Sequence, residues 1–359
     1  MTRRNARIVA AVLLGLLLPL PPAVQAADDE AESPPPPMPM NVLLVGWDGC
    51  DREHVKSLLK DGRLPNLQKL VERGRLVDID IGEYTDTKGG WTQILTGYTA
   101  SVTGVYHNAK YQPIPRGMTI WERLREAYGA DRIATVAVIA KKKHLDADPP
   151  RELTPEELEK LRSKAGNSPA AAQPGKNVVR TVPTVPGCPY CLASQSTDWW
   201  VNDLGKGENV TSVAIQMLDR YQDKPFFFFV HYAEPDIRGH GTGENSAPYD
   251  DAIVACDREL GRLVEKLAAM KQSDKTLIYV TSDHGFDAGA KTHWFAPYVF
   301  LATNDAKVNR AGGRADITPT ILDRLGLNLL AFRPALTGES LARPITRPVP
   351  KPTKKPVFR

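Results

Sequence analysis

Six residues have the types and spacing that would build a two-metal site for phosphoryl transfer. They are Asp48 in VLLVGWDG, Asp236 and His240 in EPDIRGH, Asp283 and His284 in TSDHG, and His293 in THWFAP. Each comes soon after a run that reads as a strand, where a parallel sheet gathers its functional side chains. Three Asp and three His make two mixed oxygen and nitrogen ligand sets suited to zinc. Between the first and second ligands lies TDTKGGWTQILTGY, which offers Thr87 as a nucleophile. Taken singly, these residues have plainer roles. An Asp before Gly caps a helix, Asp-His-Gly at a strand end makes a turn, and His293 could lie on the surface. Their conjunction points to ions, because carboxylates and imidazoles at this density repel one another and resist desolvation without cations. The chain therefore reads as an enzyme.

The elements that must position these residues alternate between two periodicities. Residues 41–46 form a continuous apolar run that fits a buried parallel strand, and 52–60 and 65–73 read as helices. A short alternating strand is expected at 77–81, a helix start from Gly89, a helix over 119–128 and a strand over 133–139. The rhythm breaks at 146–196, where a charged helix (TPEELEKLRSKAG), a low-complexity stretch (NSPAAAQPGKN) and Cys188-Pro-Tyr-Cys191 suggest an inserted cap. It resumes with a helix near 209–221, the strand 226–231 with four successive Phe, and an amphipathic helix over 252–270. Strands at 276–281 and 298–302 and a helix capped near Asp316 complete the pattern. Recurrent strand–helix units of this kind predict an α/β fold, a doubly wound, mostly parallel sheet with helices on both faces. Trp199 and Trp200 in the cap region read as packing residues on a helix, with stacking on a substrate ring as the alternative.

Composition narrows the class. At 359 residues, 42% hydrophobic and 25% charged, the chain can bury one large core with an inserted cap. Arg3, Arg4 and Arg7 precede an apolar run at 8–18, and Val24-Gln25-Ala26 resembles a cleavage site. Residues 1–26 therefore read as a signal peptide, which predicts a periplasmic or secreted protein without a transmembrane domain once the peptide is removed. A polar, Pro-rich leader follows at 27–40, then a catalytic body at 41–342 and a basic, Pro-rich tail at 343–359. Removing the six cations of the tail and the three of the signal segment from the net charge of +4 leaves −5 on the body, so no surface for nucleic acid is indicated. Export permits disulfides, and the Cys188–Cys191 pair in its Pro/Gly-rich setting reads as a local structural disulfide rather than a redox centre. The pairing of Cys50 and Cys256 and the oligomeric state are left open.

VLLVGWDG, the TG of ILTGY, HYAEPDIRGH, TSDHG and THWFAP, in that order, resemble the alkaline phosphatase superfamily, and most closely its type I phosphodiesterase/nucleotide pyrophosphatase branch. LPNLQKLVERG and ADITPTILDRLGL resemble stretches found across the superfamily, sulfatases included. The resemblance covers about 41–327, apart from 146–196. It implies one zinc ion on Asp236, His240 and His293, and a second on Asp48, Asp283 and His284 with Thr87 adjacent. It also implies a zinc-activated Thr87 nucleophile, found by counting ten residues back from Gly97, with Thr85 as the fallback, and a phospho-threonine intermediate. The expected substrate is a small phosphate ester. Two departures matter. The phosphodiesterase pattern has Asn three residues after the nucleophile, where this chain has Gly90, so Lys88 becomes a candidate donor to the phosphoryl group. AKKKHL is similar to the sulfatase GKWHLG pattern, which makes Lys142 and His144 further candidates for substrate binding. The sulfatase nucleophile pattern and its Asp-Asn pair are missing. Hydrolysis of sulfate esters and transfer of a phospho-headgroup remain alternative activities, and a non-catalytic binding module is the remaining class.

Overall fold

The apolar runs identified above stack side by side in the computed structural model, which describes residues 40–164 and 184–346. The expected signal peptide, most of the leader, the NSPAAAQPGKN stretch and most of the basic tail lie outside the described residues. In chain order the strands are β1 Asn41–Trp47, β2 Arg75–Asp80, β3 Ala134–Ile139, β4 Arg151–Glu152, β5 Thr184–Val185, β6 Trp199–Val201, β7 Phe226–Tyr232, β8 Thr276–Thr281, β9 Tyr298–Thr303 and β10 Gly312–Gly313. Eight of them form one sheet in the order β10-β2-β9-β8-β1-β7-β3-β6, while β4 and β5 pair as a separate antiparallel ribbon. Within the large sheet only β9 runs against its neighbours; the other seven strands share one direction.

Both faces of this sheet are covered, as the continuous apolar strands require. Leu43, Val45, Phe226 and Phe228 belong to one core with the helices Arg52–Lys60, Pro65–Arg73, Gly207–Arg220 and Ala247–Ala269. Val42, Leu44, Phe227 and Phe229 belong to the other, with the helices Thr87–Thr96, Ile120–Tyr128 and Ile317–Arg324. The four Phe of β7 therefore alternate between two cores, and each face buries two of them. The doubly wound α/β expectation holds.

The segment after β7 forms a helix, Glu234–Thr242, with its Pro in the first turn where the missing N–H costs nothing. Two local expectations change. Trp199 and Trp200 lie on β6, an edge strand rather than a helix, and Trp200 packs edge-on against Trp121 with ring centroids 5.1 Å apart. Cys188 and Cys191 are both buried and both free, as are Cys50 and Cys256, so the expected local disulfide is absent. Burial and then a hydrogen bond to Asp146 push the Cys188 thiol up to about 12, so it remains a protonated, packed side chain. This turn joins the body through Ile114 N–H to Pro189 O (2.8 Å) and Cys188 N–H to Asp148 O (2.8 Å).

Candidate metal and phosphoryl-transfer site

The strand directions bring the site residues to one edge. Parallel strands end together, so β8, β1, β7 and β3, which are adjacent in the sheet, bring Asp283 and His284, Asp48, His231 with Asp236, and Lys141 to neighbouring positions. The strand β2 points the same way, and the chain beyond it starts the Thr87–Thr96 helix at this edge. His293 precedes β9, and because that strand is reversed its beginning lies where the others end. Chain order reverses around β1, where an open α/β sheet leaves a crevice for ligands.

Asp236, His240 and His293 offer donor atoms within 4.8 Å of one another, and so do Asp48, Asp236 and His284. The first group is the set named from the sequence. In the second, Asp236 stands in the group where Asp283 was expected, while Asp283 Oδ2 lies 3.5 Å from His284 Nε2 and Asp236 Oδ1 3.6 Å. The helix Glu234–Thr242 places Asp236 and His240 one turn apart on one face, with 3.4 Å between Oδ1 and Nε2. Outer partners fix the rings. His240 Nδ1 meets Lys291 O at 2.8 Å and His284 Nδ1 meets Gly285 O at 2.9 Å, which leaves both Nε2 atoms facing inward. His293 stacks on His284 with centroids 3.9 Å apart.

The threonines separate clearly. Thr87 Oγ1 is 3.4 Å from His284 Nε2 and the residue is 2% exposed, at the first position of its helix. Thr85 donates its hydroxyl to the carbonyl of His293 and is thereby engaged. Lys88 stays out of the cluster. Its Nζ lies 3.5 Å from the centroid of Tyr111, and burial lowers its pKa while Asp146 opposes that shift. Lys142 points outward, 75% exposed, and pairs with Asp203 at 3.3 Å. Its neighbour Lys141 turns inward instead, with Nζ 2.7 Å from Asp48 Oδ1 and 2.7 Å from Asp236 Oδ2. His144 is half-buried in a left-handed backbone conformation (φ 76°), and burial and then Lys141 push its imidazole down to about 4.

Electrostatics in the pocket are sharply divided. Burial works against ionisation of Asp48, yet Lys141 and His231 hold its carboxylate well below the ordinary range. Asp236 is lowered in the same way by Lys141 against the cost of burial. Asp283 goes the other way, because burial and the neighbouring Asp48 charge raise it well above the usual value. Asp236 Oδ1 and Asp283 Oδ2 are buried without a hydrogen-bond partner among the described residues. Unpartnered carboxylate oxygens facing inward-turned imidazole nitrogens are a donor set that fits divalent cations. A further group, Asp146, Asp148 and Cys188, also brings donor atoms together, but Asp148 is exposed.

Besides Lys141, sequence reasoning missed four residues. His231, the only polar side chain in β7 besides Tyr232, sets Nε2 2.8 Å from Asp48 Oδ2. Trp91 donates its indole N–H to the same oxygen at 3.2 Å. Its ring lies so close to β1 that a Cβ on Gly46 would come within 2.4 Å of it, so glycine is required there. Asn108 Oδ1 accepts the backbone N–H of Lys88 at 3.0 Å, which fixes a carboxamide beside the start of the Thr87 helix. Arg314, fully buried, donates to Gln93 Oε1 (3.0 Å), Asp283 O (2.6 Å) and Tyr84 O (2.7 Å). A histidine in an otherwise apolar strand was a readable signal; the others depend on contacts between segments distant in sequence.

With this geometry in hand, comparison with known proteins is direct. Residues 42–329 match the family model of type I phosphodiesterase/nucleotide pyrophosphatase, and the chain belongs to that family. Among curated proteins it is similar to the 2,3-bisphosphoglycerate-independent phosphoglycerate mutases of Clostridium kluyveri (33% identical over 146 residues, 37% of this chain and 26% of the mutase) and Halobacterium salinarum (39% over 132 residues, 33% and 24%). The chain thus spans about a quarter of the length of these relatives. Among solved structures, a Vibrio parahaemolyticus protein of the alkaline phosphatase superfamily aligns at TM-score 0.55 and 16% identity, covering 87% of this chain and 72% of that one. The alkaline phosphatase of the Antarctic bacterium TAB5 aligns at TM-score 0.50 and 16% identity, covering 81% and 99%. A protein solved with its substrate D-glucosamine-2-N,6-O-disulfate aligns at TM-score 0.55 and 14% identity, covering 85% and 79%. At these identities the likeness is one of fold. A mutant of the TAB5 enzyme has been solved with Mg bound in its M3 site.

Proposed function

We propose that this chain is an exported, metal-dependent phosphoesterase that uses Thr87 as its nucleophile. The observation that carries this reading is the position of the Thr87 hydroxyl, buried, at a helix start and 3.4 Å from His284 Nε2 inside a cluster of two ion-binding groups. Asp236, His240 and His293 would hold one ion, and Asp48, Asp283 and His284 the other, with Asp236 also within reach of the second. Zinc suits this oxygen and nitrogen donor set. Bound there, the ions supply positive charge that acidifies a hydroxyl and neutralises a departing oxygen.

The rest falls to the chain itself. The Thr87–Thr96 helix directs its positive end at the phosphoryl oxygens. Asn108, tied to the Lys88 amide, presents a carboxamide beside the start of the same helix. The Thr87 oxygen bonds to phosphorus as the bond to the alcohol breaks, and water then cleaves the phosphothreonine and restores the hydroxyl. Trp294 and Ile237, 72% and 57% exposed beside His293 and Asp236, offer apolar surface to the leaving group. Export rests on the composition of residues 1–26. No described helix is long and apolar enough to cross a membrane.

The test is metal analysis of the purified protein together with activity on an aryl phosphate diester, an aryl monoester and an aryl sulfate. We expect close to two zinc ions per chain, loss of phosphate-ester turnover in chelator and recovery on zinc addition. Thr87→Ala should lower kcat by roughly a thousandfold or more, the scale of removing a covalent nucleophile. Full activity in that variant would remove Thr87 from the role, and preferential turnover of the sulfate would shift the substrate class. Transfer to an added acceptor alcohol would instead align the chain with its phosphoglycerate mutase relatives.

A further inference from the structure

Lys141 leaves the end of β3 and runs into the centre of the site, its side chain 13% exposed. Its ammonium touches Asp48 Oδ1 and Asp236 Oδ2 at 2.7 Å each. Among the described residues no other lysine or arginine pairs with either carboxylate. Asp236 belongs to both candidate ion groups and Asp48 to one, so the ammonium bridges the two groups as a cation would. On Asp48 the ammonium holds Oδ1, the oxygen that faces His284 Nε2 and that a divalent ion would need at about 2 Å. On Asp236 it holds Oδ2, beside the Oδ1 that faces His240 and His284. The ammonium therefore competes directly for Asp48, and its charge repels an ion bound beside either carboxylate.

We propose that Lys141 is a resident counter-ion of this site, which holds Asp48 and Asp236 in place until divalent ions arrive, then yields both carboxylates and turns its ammonium to the phosphoryl group. This rests on the metal-dependent reading above. Asp48 Oδ1, which the ammonium touches, lies 3.7 Å from His284 Nε2, and Thr87 Oγ1 faces that same nitrogen at 3.4 Å, so the ion pair and the hydroxyl flank one imidazole. A flexible four-carbon stem and a compact, rotatable charge suit a group that must change partners. Lys142 cannot replace it, since it points outward to Asp203.

A resident counter-ion has a signature that neither a structural nor a purely substrate-binding lysine shares. Removing its charge should weaken the protein without metal and strengthen its hold on metal. We expect full-length Lys141→Met, stripped with chelator, to melt below the wild type while binding zinc by calorimetry about tenfold or more tightly. At saturating zinc, inorganic phosphate should inhibit the variant several-fold less. A structural lysine would weaken zinc binding along with stability, and a purely substrate-binding lysine would leave zinc affinity unchanged; either result overturns the proposal. If the Met variant does not fold, Lys141→Gln keeps a hydrogen-bond donor without the charge, and the same zinc comparison decides. His240→Ala in the wild-type background separates the two readings. A wild type that takes up no zinc overturns the metal reading and this one with it. Zinc uptake that needs His240 but ignores Lys141 overturns this one alone.

Discussion

At the scale of single residues, Gly90 explains the departure from the phosphodiesterase pattern. A Cβ at this position would lie 2.8 Å from Asp283 Cβ, 2.8 Å from Asp283 O and 2.8 Å from Arg314 Nη1. No side chain fits without moving Asp283, one of the candidate ligands. The amide that the family pattern places three residues after the nucleophile has no room here, and Asn108 approaches the same helix start from another loop. Gly90→Asn should therefore damage the site instead of restoring the pattern. The expected cost is about 1–3 kcal/mol, the usual range for overpacking, read by denaturant unfolding, with a fall in kcat from the displaced Asp283. Gly90→Ala should show the same sign at smaller size. A gain of activity in the Asn variant would contradict the crowding seen at this position.

At the scale of elements, the site depends on how the helices are tied to the sheet and to one another. His54, on the Arg52–Lys60 helix, bonds Asp250 at 2.7 Å on the Ala247–Ala269 helix and Glu244 at 2.5 Å in the loop that follows the His240 helix. Burial alone would lower its pKa, but Asp250 and Glu244 outweigh burial and raise it. The folded state therefore holds this proton more tightly than the unfolded chain does. The contribution is fully present below the unfolded value of about 6.5 and is lost as pH rises through the raised folded value. In a series of melting curves, His54→Gln should fall furthest behind the wild type in mildly acidic buffer, by about 1–2 kcal/mol, and approach it in alkaline buffer. A gap that widened with pH would reverse the assignment. Arg314 plays a comparable role on the opposite face, joining Gln93, Asp283 and Tyr84 from three separate segments.

For the whole molecule, the sheet separates two cores that share its strands. Phe228 belongs to one and Phe229 to the other, and both are fully buried. Deleting either ring should cost about 3–5 kcal/mol, measured by chemical denaturation. A sheet with one wet face would show that loss on one side only. The two variants should nevertheless differ in catalysis. Phe229 packs on Trp91, with ring centroids 5.3 Å apart, and Trp91 donates to Asp48. Phe229→Ala should therefore lower kcat at temperatures where it remains folded, while Phe228→Ala loses mainly stability. Equal kcat in the two variants would sever the link from core to Asp48.

What the sequence determined by itself was the periodic skeleton and the residues at the ends of its strands. Continuous apolar runs can only be buried parallel strands or short core helices, and their length and β-branched or aromatic content select strands. That reasoning located β1, β7, β8 and β9 to within a residue or two, and with them Asp48, Asp236, Asp283, His284 and His293. Tertiary structure alone decided which neighbour in a polar run turns inward. In Lys141-Lys142-Lys143 the three side chains are chemically identical, and only the register of β3 beside β7 sends Lys141 to the carboxylates and Lys142 to solvent. It also decided that Cys188 and Cys191 stay apart as thiols, that Thr85 is occupied while Thr87 faces His284, and that Asn108 stands beside the start of the Thr87–Thr96 helix. The physical reason is common to all of these. Hydrophobic periodicity is a local property of the chain, whereas the partner of a polar side chain is set by segments that approach only after the sheet has formed.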